Sequence, residues 1–254
     1  LLQGWLEKGY AAHGICVIEH SEAATAQFDG IDGVTIVRDI SDVPEDFHPG
    51  MVMLALKPQM MDAAAPLARY AGPETAFLSI AAGKTIQYFE SLLGSDAAII
   101  RSMPNTPAAV GRGITAYVGN KAASQAQMNL AGDLLSAVGE ALEVPEEGML
   151  DAVTAVSGSG PAYVFYVIEV MAAAGEKLGL PADLAMRLAS ATVSGAGELA
   201  RQSSEPAAQL RQNVTSPGGT TAEALKVLMA DDGIGPVFEK ALKAAADRSR
   251  ELAG

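Results

Sequence analysis

The chain has 254 residues, 49% hydrophobic and 19% charged, a composition typical of a globular protein with one large domain or two smaller ones. Its 30 acidic and 17 basic residues give a net charge of −13, which argues against binding nucleic acid or anionic membranes. The one cysteine, Cys16, cannot form an internal disulfide, so we expect a reducing compartment, the cytoplasm. No apolar run approaches the roughly 20 residues of a membrane helix. No Cys/His cluster has metal-ligand spacing, so no metal is expected.

In the first half of the chain, apolar runs predicted as strands alternate with predicted helices. The runs begin at Gly14, Val34, Met51, Ala76, Ala97, Ile114 and Ala141. The helical segments are Leu1 to Lys8, Ser21 to Phe28, Met60 to Tyr70, Ile86 to Leu93, and about Ala123 to Val138. This alternation predicts a mainly parallel α/β sheet with helices on both faces.

From about Met149 onward the strand signal nearly disappears. Helices are predicted at Pro161 to Leu178, Pro181 to Gln202, Ala207 to Gln212, Thr221 to Met229, and Gly235 to Leu252. The stretch SATVSGAGELA is rich in small residues, which permit close helix contact. An apolar helical region of this kind often builds a subunit interface, and a self-contained helical domain is the alternative.

Three of the predicted strands end in unusual loops, namely LALKPQ, SIAAG and MPNTPA. In an open α/β sheet, ligands bind in the crevice beyond the carboxyl ends of the strands. Any one of these loops could be a simple turn. Because the three follow successive strands, we interpret them as parts of one binding site.

The stretch NVTSPGGTTAEAL, residues 213 to 225, places a proline, two glycines and three hydroxyl residues directly before a predicted helix. One interpretation is a turn with an N-cap. The other is a pocket for a small anion, because glycines allow close approach and the backbone N–H groups of a helix N-terminus bind anions.

A doubly wound nucleotide-binding fold normally opens with a strand, the motif G-x-G-x-x-G and a helix. This sequence opens on the helix, and Gly4 and Gly9 do not form that motif. We therefore expect the chain to lack one strand and the glycine-rich loop that holds the cofactor pyrophosphate.

The motifs LALKPQ, SIAAGKT, RSMPNTPA, SGSGPAY and VTSPGGTTAEAL, in this order, closely resemble those of the pyrroline-5-carboxylate reductase family across essentially the whole chain. Each motif alone is weakly specific, whereas the five together are highly specific. The resemblance implies a Rossmann-type doubly wound sheet, with a dinucleotide-binding domain over 1–156, followed by an all-helical substrate and dimerisation domain over 157–254. It also implies reduction of 1-pyrroline-5-carboxylate to L-proline by NADPH or NADH, the last step of proline biosynthesis, in homodimers that can assemble into decamers.

The resemblance also implies roles for individual residues. Cofactor contacts are expected from the strand-end loops, at Ala55, Lys57, Pro58, Ala81, Ala82 and Asn105, with Asn105 at the junction of cofactor and substrate. The substrate loop is expected to comprise Ser216, Gly218, Gly219, Thr220 and Thr221. Backbone N–H groups around the two glycines would bind the substrate carboxylate, and the Thr221 hydroxyl would bond the imine nitrogen in the catalytic step.

One residue departs from the family pattern. Where a small polar residue or an arginine would accommodate the 2′-phosphate of NADPH, this chain has Glu19. A carboxylate there would hydrogen-bond the ribose hydroxyls and repel a phosphate, which predicts a preference for NADH. An exposed charge at the end of a strand is the alternative interpretation.

The residue types of the second half favour an imine substrate over a ketone. A ketone requires a proton donor, usually histidine or lysine, whereas a protonated imine is already electrophilic. No histidine occurs after His48. The only lysine in the helix predicted at Pro161 to Leu178 is Lys177, at the far end of that helix. Related hydroxyacid dehydrogenases place a lysine and an asparagine on that helix. Another imine reductase, a hydroxyacid dehydrogenase and a non-catalytic form of the chain remain the alternatives.

Overall fold

The computed structural model describes residues 1–253. These residues form seven strands: β1 (Ile15–Ile18), β2 (Val34–Val37), β3 (Met51–Leu54), β4 (Ala76–Ser79), β5 (Ala98–Met103), β6 (Gly113–Gly119) and β7 (Gly139–Glu143). Each strand coincides with one of the predicted apolar runs, because such runs bounded by polar and glycine-rich segments suit buried strands.

The strands pair mainly in parallel, as predicted. β1 and β2 form a parallel pair, and β3, β4 and β5 form a second parallel ladder that continues to β6 and β7. Only β6 runs antiparallel to a neighbour, β5, while β7 is parallel to β6. The carboxyl ends of β3, β4 and β5 therefore lie at one edge of the sheet, and their following loops are neighbours.

The α-helices of this part of the chain are α1 (Leu2–Glu7), α2 (Glu22–Thr25), α3 (Ile86–Leu93), α4 (Gln125–Leu135) and α5 (Met149–Val153). Of these, α3 and α4 pack on opposite faces of the larger sheet. Successive residues of β4 point to opposite faces. Phe77 packs with Phe89 of α3 in one core cluster, whereas Leu78 packs with Leu135 of α4 in another. Strands buried on both faces are characteristic of a doubly wound Rossmann-type α/β fold.

The segment predicted as a helix from Met60 to Tyr70 is a 3₁₀ helix over Pro58–Tyr70. Pro66 lies inside it and lacks the N–H needed for an α-helical hydrogen bond, which explains why an ordinary α-helix does not form there. The segment still packs through Met61 and Ala64, which are buried.

The second half is all helical, as predicted. It contains α6 (Gly160–Lys177), α7 (Ala182–Gln202), α8 (Ala207–Asn213), α9 (Thr220–Leu228) and α10 (Ile234–Ala253). Helices α6 and α7 pack through the small buried residues Ala172, Ala185 and Ala189. Other apolar side chains of α6 stay exposed, including Phe165 at 59% and Tyr166 at 63%.

The chain divides into two compact units. Unit 1 comprises residues 1–158 together with 246–253, and unit 2 comprises residues 159–245. The chain leaves unit 1 through a π-helical turn, Thr154–Gly158, which the sequence did not predict. None of the helices among residues 1–253 combines the length and the apolar character needed to cross a membrane.

Candidate functional site

The predicted site residues fall into one group in each unit. Unit 1 holds those expected to contact a cofactor, namely Glu19, Ala55, Lys57, Pro58, Ala81, Ala82 and Asn105. Each of them lies just after the carboxyl end of a strand. Unit 2 holds the five residues of the predicted substrate loop, Ser216, Gly218, Gly219, Thr220 and Thr221.

The loop after β4 is held at its start by two buried serines. Ser79 Oγ accepts a hydrogen bond from the backbone N–H of Ala81 at 3.2 Å, and Ser102 Oγ donates to the carbonyl of Ser79 at 2.8 Å. Within residues 1–253, no group accepts a hydrogen bond from the N–H of Ala82 or Gly83. A fixed turn that presents two free N–H groups can bind a polar group of a ligand.

The same loop carries a glycine that its backbone requires. Gly83 has φ of +71°, a left-handed conformation that favours glycine. A Cβ atom on Gly83 would lie 3.3 Å from the Cβ of Leu252, in the last turns of α10. Residues 246–253 of α10 belong to unit 1, and Leu252 brings this end of the helix beside the β4 loop.

A side-chain contact links the segments that follow β3 and β4. The hydroxyl of Tyr88 on α3 donates to the carboxylate of Asp62, in the 3₁₀ segment that begins at Pro58. Burial and the neighbouring Asp62 carboxylate raise the pKa of Tyr88 to about 12. The ammonium of Lys84 lies 4.0 Å from the centre of the Tyr88 ring, a cation–π contact. Ala55 and Lys57 are exposed at the head of the β3 segment.

Asn105 follows β5, and both the oxygen and the nitrogen of its side-chain amide form hydrogen bonds within unit 1. Its Oδ1 accepts from the backbone N–H of Ile114 at 2.9 Å, and its Nδ2 donates to the carbonyl of Ser157 at 3.1 Å. Ser157 lies in the π-helical turn at the end of unit 1. Asn105 therefore ties the loop after β5 to the connection between the units, a structural role that the sequence did not predict.

Glu19, just after β1, lies close to Arg38, a cation that was not predicted as part of the site. Glu19 Oε1 accepts from the N–H of Ser21 at 2.8 Å. Arg38, just after β2, donates through Nη1 to the carbonyl of Glu19 at 2.8 Å and to Thr25 Oγ1 at 3.2 Å. The predicted parallel sheet did not specify that β1 and β2 are neighbours, so no local signal could place Arg38 next to Glu19.

The predicted substrate loop forms a tight turn and then a helix. The N–H of Gly219 donates to the carbonyl of Ser216 at 3.0 Å, and Gly218 has φ of +70°. Helix α9 begins at Thr220, one residue before the predicted start, with Gly219 at the N-cap and no side-chain cap. The N-cap of the first interpretation is therefore a glycine, and no hydroxyl side chain caps α9.

This arrangement changes which groups of the loop can bind an anion. The N–H of Gly219 is occupied within the turn, so the donors are the first-turn N–H groups of α9, at Thr220 and Thr221. The hydroxyl of the half-buried Thr221 has no hydrogen-bond partner within residues 1–253. The N-terminus of α9 thus offers two backbone donors and a hydroxyl group to a small anionic ligand.

The comparisons with known proteins agree along the whole length of the chain. Residues 147–252 match the family model described as pyrroline-5-carboxylate reductase dimerisation. The pyrroline-5-carboxylate reductase of Pseudomonas aeruginosa is 41% identical over 254 residues, which is 100% of this chain and 92% of that protein.

Two solved structures are also similar. The structure of a pyrroline-5-carboxylate reductase from Coxiella burnetii has a TM-score of 0.90 and 36% identity, covering 99% of this chain and 93% of that one. The crystal structure of Plasmodium falciparum pyrroline carboxylate reductase with NADP bound has a TM-score of 0.72 and 30% identity, covering 87% and 86% of the two chains. The sequence motifs, the fold and these similarities lead to one conclusion: the chain belongs to the pyrroline-5-carboxylate reductase family.

Proposed function

We propose that this protein reduces 1-pyrroline-5-carboxylate to L-proline with NADPH or NADH, the last step of proline biosynthesis. The observation that carries the proposal is the N-terminus of α9, where a turn with Gly218 at positive φ leads into free N–H donors and the unpaired Thr221 hydroxyl. A small ring that bears a carboxylate and an imine nitrogen matches these two kinds of group.

The residues of unit 1 fit the two ends of a nicotinamide dinucleotide. Glu19 and Arg38 lie together after β1 and β2, where a ribose with or without a 2′-phosphate would bind. The free N–H groups of Ala82 and Gly83 fit the carboxamide of a nicotinamide ring. The glycine-rich motif that would hold the pyrophosphate is absent from these 254 residues, so the fit concerns the ends of the cofactor. When bound, the cofactor supplies a hydride to the imine carbon.

The residues of unit 2 fit the substrate and its protonation state. The first-turn N–H groups of α9 hold the carboxylate, and the Thr221 hydroxyl bonds the ring nitrogen. The protonated imine already carries the proton that the product amine retains, so no strong acid is required. This agrees with a second half that contains no histidine. The same argument disfavours a hydroxyacid dehydrogenase, which must protonate an alkoxide.

We place the dinucleotide-binding domain at 1–156 and the substrate and dimerisation domain at 157–254, of which residues 246–253 pack with unit 1. The exposed apolar side chains of α6, such as Phe165 and Tyr166, support assembly of the chain into a homodimer. We propose that these dimers can build decamers. The lone Cys16 supports a cytoplasmic location. Light scattering coupled to gel filtration measures the number of chains in the assembly.

The function is tested with the purified protein. We expect oxidation of NADPH or NADH in the presence of 1-pyrroline-5-carboxylate, proline as the product, and no comparable rate with 2-ketoacids. Equal or greater activity on a ketoacid would replace the proposal by a hydroxyacid dehydrogenase. Titration with each cofactor in the absence of substrate separates an inactive scaffold, which would not bind at micromolar concentration, from an enzyme with a different substrate.

A further inference from the structure

One carboxylate oxygen in unit 1 accepts two hydrogen bonds from distant parts of the chain. Glu147 Oε1 accepts from Arg101 Nη1 at 2.8 Å and from the backbone N–H of Ile86 at 2.8 Å. The Arg101 side chain is 7% exposed and that of Glu147 is 30% exposed. A charge-assisted bond that is largely shielded from water has a well-defined geometry.

The three residues belong to three different segments. Ile86 is the first residue of α3 and directly follows the loop after β4. Arg101 lies in β5, the strand that leads to Asn105, and Glu147 lies in the turn between β7 and α5. Glu147 thus fastens the far end of the β4 loop to the neighbouring strand and to the segment that leads out of unit 1.

The β4 loop is consequently fixed at both ends. Ser79 and Ser102 hold its start, and Glu147 holds its end at Ile86. The free N–H groups of Ala82 and Gly83 lie between these anchors. The second bond satisfies the first N–H group of α3, which has no partner within the helix, and it connects the ion pair to the cofactor loop.

We infer that Glu147 is a positioning residue for the nicotinamide end of the cofactor: it orients the loop from Ala81 to Thr85 and does not touch the cofactor itself. The inference rests on the proposed function only for the identity of the ligand. Arg101 holds the Glu147 carboxylate in place, and the bond to Ile86 transmits that position to the loop. Loss of the bond should loosen the loop, weaken cofactor binding and misalign hydride transfer.

The experiment compares two changes at this pair with one control. The double variant Arg101→Met/Glu147→Met replaces an ion pair between the buried Arg101 and the half-buried Glu147 by apolar side chains, a change often tolerated by a fold, and removes the acceptor for Ile86. Glu147→Gln keeps a side-chain oxygen for Ile86. The control Gln127→Ala breaks a buried bond to the carbonyl of Pro73, which lies before β4 at the opposite end of that strand.

The readouts are the dissociation constant for NADPH without substrate, the kcat/KM, the deuterium isotope effect on hydride transfer, and amide exchange over residues 80–90. For the double variant we expect a dissociation constant at least about fivefold higher, a kcat/KM at least about tenfold lower and faster exchange at Ile86. For Glu147→Gln, the dissociation constant, the kcat/KM and the exchange rate at Ile86 should each stay within about threefold of wild type. Gln127→Ala should lower the melting temperature and leave cofactor binding unchanged.

Three results would overturn the inference. The first is a double variant that loses stability like Gln127→Ala but binds cofactor as the wild type does. The second is a Glu147→Gln variant as impaired as the double variant, which would assign the effect to charge and not to the loop bond. The third needs no variant: an Ile86 amide in the wild type that exchanges as fast as an unbonded one. Because cofactor binding is measured without substrate, a wrong substrate assignment would leave these outcomes intact.

Discussion

The side chain of Asn105 donates to the carbonyl of Ser157 at 3.1 Å, and so connects the loop after β5 with the turn that ends unit 1. Asn105→Asp keeps an oxygen for the N–H of Ile114 but places a carboxylate against the Ser157 carbonyl. We expect a loss of about 1–3 kcal/mol of unfolding free energy, the cost of an unmet polar contact, together with a lower kcat/KM. Denaturant unfolding and steady-state rates check this, and an Asp variant with wild-type stability would contradict the structural role.

Thr221→Ala should lower kcat/KM at least about tenfold, the equivalent of losing a hydrogen bond of about 1.4 kcal/mol. The physical reason is the loss of the hydroxyl that bonds the imine nitrogen. Thr221→Ser keeps the hydroxyl and is the matched control, which we expect to stay within about threefold of wild type. An unchanged rate in the alanine variant would remove Thr221 from the mechanism.

Gly219→Ala should disturb the substrate loop by crowding Ser216. A Cβ atom at this position would overlap with the Ser216 hydroxyl oxygen and lie 3.2 Å from the Ser216 carbonyl oxygen. We expect the KM for the substrate to rise while the KM for the cofactor stays unchanged. Ser216→Ala removes the overlapping oxygen, so in that background the added methyl group should raise KM by a smaller factor. Equal factors in both backgrounds would show that the steric argument is wrong.

Glu19 and Arg38 should set the choice between NADH and NADPH in opposite directions. Removal of the carboxylate in Glu19→Ser should raise the ratio of kcat/KM for NADPH over NADH by about tenfold, a change of about 1.4 kcal/mol. Removal of the guanidinium in Arg38→Met should lower the same ratio. We expect the wild type to have the higher kcat/KM with NADH, and a much higher kcat/KM with NADPH would contradict the role of Glu19.

The Tyr88–Asp62 contact should give stability that depends on pH. Because the folded-state pKa of Tyr88 is raised to about 12, this contribution is fully present below the ordinary tyrosine pKa and is lost as pH rises through the folded value. We expect Tyr88→Phe to cost about 0.5–1.5 kcal/mol at neutral pH. The difference in melting temperature between variant and wild type should shrink between about pH 10 and pH 12. A constant difference over this range would contradict the assignment.

Local sequence signals were sufficient to predict the strands, most helices and the motif-bearing loops. The runs that became β4 and β5 are continuous and apolar because helices cover both of their faces. The sequence could not reveal the partners of Arg101 and Arg38, since Glu147 lies 46 residues from Arg101 and Glu19 lies 19 residues from Arg38. A charged residue inside the apolar run AIIRSM does signal a buried ion pair, but not the identity of its partner.

The assignment of residues 246–253 to unit 1 has a practical consequence for dissecting the molecule. Unit 2 is therefore inserted between two segments of unit 1, and the two units do not simply follow each other along the chain. A cut after Gly158 would separate Asp151 from its hydrogen bond with Ser249 at 2.6 Å, and Gly83 from the packing of Leu252. An isolated cofactor-binding unit would therefore have to combine residues 1–158 with 246–253, and a simple amino-terminal fragment would lack the helix that supports its β4 loop.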